Sequence, residues 1–273
     1  MIVKKKYQLI KNNSPFRLYF KLIRVIPKFI RPYLISKMFP ENPVRDFDLY
    51  ISLGNNCMSA RTLRRLKLRT FSFPFDWLAG VPLLTNLSWI LQSFDGFLEY
   101  KDLDFPEKLE GKEKHLKVKN RRTNTFFIHD FLSHSPDEFS TIKEKYKRRC
   151  DRLLTICKNK EVLFLFIEGN DDNINYPEIS EKIFDTLVLV KNKLQASKIS
   201  LILLHFSNSP SDNKINVIQK GNCTLYLFAS AKLRPLHIKG RQELALQVQE
   251  ILQTIKTDTN ECHPHYHENP LKS

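Results

Sequence analysis

Two segments of this chain, VLFLFI (162–167) and ISLILL (199–204), are apolar at almost every position instead of every second one. Such runs suit strands covered on both faces, as in a parallel sheet flanked by helices. Shorter apolar runs predict further strands over 48–53, 125–129 and 223–228, with the two segments themselves reading as strands over 162–167 and 199–205. Between them, three- and four-residue apolar spacing predicts helices over 57–67, 82–93, 138–157, 178–195 and 240–256. This alternation predicts an α/β domain over 46–257: an open, mainly parallel sheet with helices on both faces, three layers in all. The polar stretch 94–124 interrupts the pattern and reads as a charged insertion or lid.

The first forty residues are of another kind. Ten of the fifteen excess positive charges lie in residues 1–40, which hold no acid. Lys21, Arg24, Lys28 and Arg31 recur at helical spacing, with Phe16, Phe20, Ile23 and Ile30 between them. Residues 1–45 thus read as a basic amphipathic arm whose 14–39 segment suits an anionic membrane surface. Pro27 and Pro32 divide it into two short pieces. With the charge confined to the arm, no nucleic-acid partner is expected. No run approaches eighteen uncharged apolar residues, so no spanning helix is expected.

Five cysteines, an odd number with no CxxC pair, predict neither a disulfide framework nor a zinc finger. A cytoplasmic setting, peripheral on the inner membrane face, follows as the expectation. Residues 258–273 read as a flexible tail, and its Cys262, His263, His265 and His267 match no standard metal spacing. No metal site and no cofactor are expected, and no GxGxxG, GxxxxGK[ST] or HExxH motif occurs.

Candidate chemistry concentrates at LYISLGNNC (49–57) and the basic helix that follows. Gly54 permits a sharp turn, and Asn55 and Asn56 are good N-cap residues, which sets Cys57 in the first helical turn. Free backbone amides and the helix dipole stabilise a thiolate there. The plainer alternative is a buried, inert thiol at a strand–helix turn. Ligands of open α/β sheets bind beyond the carboxyl ends of the strands. Cys57 follows the first strand and His129 closes the second, which predicts both near that edge.

SLGNNC, LRRLKLRT and SFPFDW, followed by FFIHDF, YKRRCDRLL and VLFLFI, span roughly residues 48–170. This series resembles a bacterial family of unknown function described as papain-like cysteine peptidases, often seen among surface-polysaccharide genes. The resemblance implies Cys57 as nucleophile and His129 as its base, acting on a peptide, acyl or glycan substrate. The papain fold itself packs a helical half on an antiparallel β half, so periodicity and resemblance differ on the fold. Asp76 is the first candidate for a third catalytic group and Asn170 the second, while Asp130 would point to the opposite face of its strand. Asn55 and Asn56, with the Cys57 amide, could bind an oxyanion. Arg148 and Arg152 lie four apart on a predicted helix, where their guanidinium forks suit an anionic substrate. That pair supports an alternative: a glycan-assembly transferase acting on an activated sugar at the cytoplasmic membrane surface. A second alternative is a non-catalytic accessory protein of polysaccharide biosynthesis.

Overall fold

A computed structural model describes residues 3–8, 46–106, 115–168, 175–207, 214–231 and 238–261. In chain order its elements are β1 (Val3–Gln8), β2 (Leu49–Ser52), α1 (Met58–Arg65), β3 (Leu78–Ala79) and α2 (Leu83–Leu91). Then come β4 (Leu103–Asp104), β5 (Leu116–Asn120), β6 (Thr125–Phe131), α3 (Pro136–Ile156) and β7 (Glu161–Ile167). The last are α4 (Ser180–Leu194), β8 (Lys198–Ser207), β9 (Lys214–Lys220), β10 (Cys223–Ala231) and α5 (Ile238–Glu261).

The main sheet runs β1-β9-β10-β8-β7-β2. Its β10–β8, β8–β7 and β7–β2 pairs are parallel, and β9 and β1 extend it antiparallel. The continuous apolar runs behave as expected. Val162, Phe164 and Phe166 enter one core, whereas Leu163, Leu165 and Ile167 enter the other. Leu201 and Leu203 divide from Ile202 and Leu204 in the same way. Helices α1 and α5 cover the second core, and α2, α3 and α4 cover the first. The domain is therefore the three-layer α/β sandwich that the sequence predicts.

A second sheet, β3-β6-β5-β4, is antiparallel and packs against the α2–α4 side. It corrects one expectation: the strand carrying His129 belongs to this second sheet and not to the main, mostly parallel one. TFFIHDF buries Thr125, Phe127 and Phe131 but leaves the residues between them partly in water. That half-buried pattern belongs to an antiparallel strand. Part of the charged stretch 94–124 also joins this sheet, with Leu103, Leu116 and Val118 buried in the shared core.

The 14–39 segment, Asn170 and the Cys262 tail lie outside the described residues. Within the stretch read as the basic arm, Val3–Gln8 is a strand at the sheet edge. No helix among the described residues is long and apolar enough to cross a membrane.

Candidate active site around Cys57

The parallel strand β2 delivers the chain to the carboxyl edge of the sheet, and Gly54 then reverses it. Gly54 has φ +83°, and a Cβ there would stand 2.8 Å from the Phe75 carbonyl oxygen, so only glycine fits. Asn55 follows with φ +68°, buried, and its carbonyl accepts the Gly80 N–H at 3.0 Å. Asn56 acts as a cap: its Oδ1 accepts the Met58 N–H at 2.7 Å. What remains of its side chain for an oxyanion is the Nδ2 amino group. Cys57 occupies the cap position itself, and its carbonyl accepts the Arg61 N–H at 3.0 Å. Helix α1 thus starts one residue later than expected, with no acid in its first turn to oppose a thiolate.

Two side chains missing from the sequence reading lock this turn to the sheet. Buried Ser59 accepts the Ile167 N–H at 3.0 Å and donates to the Gly54 carbonyl at 3.4 Å. Buried Asn86 of α2 donates through Nδ2 to the Leu53 carbonyl, and its Oδ1 has no hydrogen-bond partner. Neither stands out in sequence, because each works through a contact with a distant backbone.

The four described cysteines divide sharply. Cys150, Cys157 and Cys223 are buried, and burial pushes their thiols up to about 12. Cys57 is partly exposed.

The SFPFDW segment joins the cysteine turn to the second sheet. Asp76 is 1% exposed, and its Oδ2 accepts the Phe73 N–H at 2.9 Å and Arg69 Nε–H at 3.2 Å, with Arg69 Nη2 as a further donor. Burial raises its pKa above the ordinary value, against the pull of Arg69, the Phe73 amide and Arg149. Its Oδ1 and the Arg149 Nη1 are both buried without hydrogen-bond partners. Next to it, the Trp77 ring lies 5.8 Å from the His129 ring, edge to face, and 5.7 Å from the Arg69 guanidinium carbon.

His129 is exposed because β6 bulges. Val118 pairs with Phe127 and Leu116 with Phe131, so four residues of β6 cover two of β5. The bulge turns His129 outward and sends Asp130 toward α3, where Tyr146 donates a 2.8 Å hydrogen bond and Lys145 pairs with it. The Asp130 carboxylate is thereby committed to Tyr146 and Lys145. The fold links Cys57 and His129 through residues 76–80. Gly80 meets Asn55, Ala79 pairs with Phe126, and Trp77 backs His129. His129 lies three residues beyond Phe126, inside the bulge.

Arg148 and Arg152 lie on α3 in different settings. Arg152 donates to the Ser72 carbonyl at 2.7 Å and stacks 5.5 Å from the Phe71 ring, a structural anchor for the SFPFDW segment. Arg148 is exposed on α3. Arg61, Arg64 and Arg65 of α1, in the helix the sequence marks as basic, line a cavity. Glu168, just beyond β7, and His205, near the end of the neighbouring strand β8, are both buried toward the carboxyl edge. The Tyr176 ring lies 6.1 Å from that of His205. A sequence signal for them exists: each is the first polar or charged residue after an apolar strand.

Fold and site together define a three-layer α/β protein with an accessible thiol at the carboxyl edge of its sheet. Residues 48–208 match the model of the family described as "Putative papain-like cysteine peptidase (DUF1796)", and the chain belongs to that family. It is also similar to an uncharacterized protein of Acanthamoeba polyphaga mimivirus, 27% identical over 191 residues that cover 63% of this chain and 84% of the relative. No solved structure matches.

Proposed function

We propose that the chain is a cysteine-dependent hydrolase or acyl transferase in which Cys57 is the nucleophile and His129 its general base. The observation that carries this reading is the contrast among thiols: three are buried and held protonated, and Cys57 alone of the four described is reachable from solvent. It sits at the head of α1, where a substrate can approach from solvent, with no acid in the first turn of the helix. Membership of the cysteine-peptidase family supports the same chemistry. The family gives no support to the transferase acting on an activated sugar.

The reaction needs two steps. The Cys57 sulfur adds to a carbonyl carbon, forming a C–S bond, and the leaving group departs with the proton taken from the thiol by His129. Water or another acceptor then attacks the thioester, giving its proton to the imidazole and restoring the thiol. The Cys57 amide and Asn56 Nδ2 would serve as donors to the oxyanion. His129 would act directly or through one water. Asp76 serves as a positioning residue: its bonds to Arg69 and Phe73 fix the turn that carries Trp77 against His129.

The test is covalent trapping. Full-length protein incubated with an activated aryl ester should release the phenol in a burst and gain one acyl mass on the Cys57 peptide. Cys57→Ser should show no burst. Acylation elsewhere, or a burst surviving in Cys57→Ser, would sink the assignment.

A further inference from the structure

Helix α1 and Leu244 of α5 enclose a cavity of about 400 Å³, lined by Met58, Arg61, Thr62, Arg64, Arg65 and Leu244. Its size falls in the small-molecule range, and Met58 and Leu244 give it apolar walls. We infer that this cavity is a binding site for a small molecule bearing an oxyanion group, phosphate ester or carboxylate, held by Arg61 and Arg64. The inference deepens the Cys57 reading by naming an oxyanion-bearing substrate, and rests on that reading only for the word substrate.

Arg61, Arg64 and Arg65 stand three and four residues apart, so their charges share one side of the helix. Like charges at that spacing weaken a helix. The helix dipole favours cations in the last turn, which accounts for Arg64 and Arg65 but not for Arg61 in the middle. Neither Arg61 nor Arg64 joins the ion pairs that Arg69, Lys143, Lys145 and Lys198 make. The described lining includes no carboxylate. Two guanidinium forks beside an apolar wall can take the paired oxygens of a phosphate or carboxylate.

Placement ties the cavity to the thiol. The Arg61 N–H is bonded to the Cys57 carbonyl, one turn away, so Cys57 and Arg61 share a face of α1. Met58, the first lining residue, directly follows Cys57. An anionic group held by Arg61 would therefore leave the rest of its molecule able to extend toward the sulfur.

Isothermal titration of the full-length protein with pyrophosphate, and separately with citrate, tests the site. One-to-one saturable binding of at least one probe is expected. Arg61→Gln/Arg64→Gln should weaken it by about tenfold or more. A charge-matched double variant at exposed positions, Lys158→Gln/Lys193→Gln, should bind as wild type does. Pyrophosphate alone would identify a phosphate site and citrate alone a carboxylate site. No saturable binding of either, or equal weakening in both double variants, overturns the inference. If the arginine double variant does not fold, pyrophosphate or citrate should still slow phenylglyoxal modification of Arg61 in wild type, and no protection by either overturns it. Cys57→Ser should bind the probes normally, so failure of the anion site leaves the nucleophile assignment untouched.

Discussion

On the reading proposed above, Asp76 positions its neighbours, and its surroundings fix what its loss should cost. Its carboxylate is buried against Arg69 and the Phe73 amide, and Arg69 is itself only 13% exposed. Removing the acid leaves a buried guanidinium without its partner, a change that costs about 3 kcal/mol or more. Asp76→Ala should lower urea-unfolding stability by that order, and should also weaken the Trp77–His129 contact. The raised pKa fixes the sign of the pH effect. A folded pKa above the ordinary value means the native state binds the proton more tightly, so this group favours folding most at low pH. Its contribution declines as pH rises through the raised value. Asp76→Asn should remove that component from the stability–pH profile, and an unchanged profile would contradict the burial argument. In sequence, Asp76 and a catalytic acid look alike; Arg69, seven residues upstream, decides between them only when the fold closes.

At the scale of elements, the turn from β2 into α1 sets the geometry of the thiol. Gly54→Ala would force a side chain to φ +83° against the Phe75 carbonyl at 2.8 Å. A loss of about 2 kcal/mol or more is expected, measured by thermal or urea unfolding, with slower Cys57 modification in the folded fraction. A substitution without effect on either would mean that the turn is not rigid. This turn was legible in LYISLGNNC, as were the five strands and five helices that carry strong apolar patterns. β9 (KINVIQK) and β5 (LKVKN) were not, because their short polar alternation resembles loop composition. Missing β5 hid the second sheet, and with it the true setting of His129. The bulge that exposes His129 depends on the register between β5 and β6, a property of a pair that neither strand encodes alone.

Across the whole molecule, the parallel sheet works as a platform whose carboxyl edge gathers polar groups: the Cys57 turn beyond β2, Glu168 beyond β7, and His205 near the end of β8. The sequence predicts the three layers because continuous apolar runs have few other uses. It could not tell which sheet carries each histidine: His129 belongs to the second and His205 to the first. Nor could it show that the basic character of α1 lines a cavity, whereas Arg152 of α3 is a structural anchor.

The most direct measurement is the pH dependence of thiol alkylation, followed peptide by peptide by mass spectrometry in wild type, His129→Ala and His205→Ala. The account predicts that Cys57 reacts rapidly and continues to do so below pH about 7, under the ordinary thiol range. Cys150, Cys157 and Cys223 should stay unmodified until the protein unfolds, because burial holds them near 12. The low-pH reactivity of Cys57 should vanish in His129→Ala and persist in His205→Ala. Slow Cys57 modification indifferent to both histidines, or a loss confined to His205→Ala, would contradict the proposed pair.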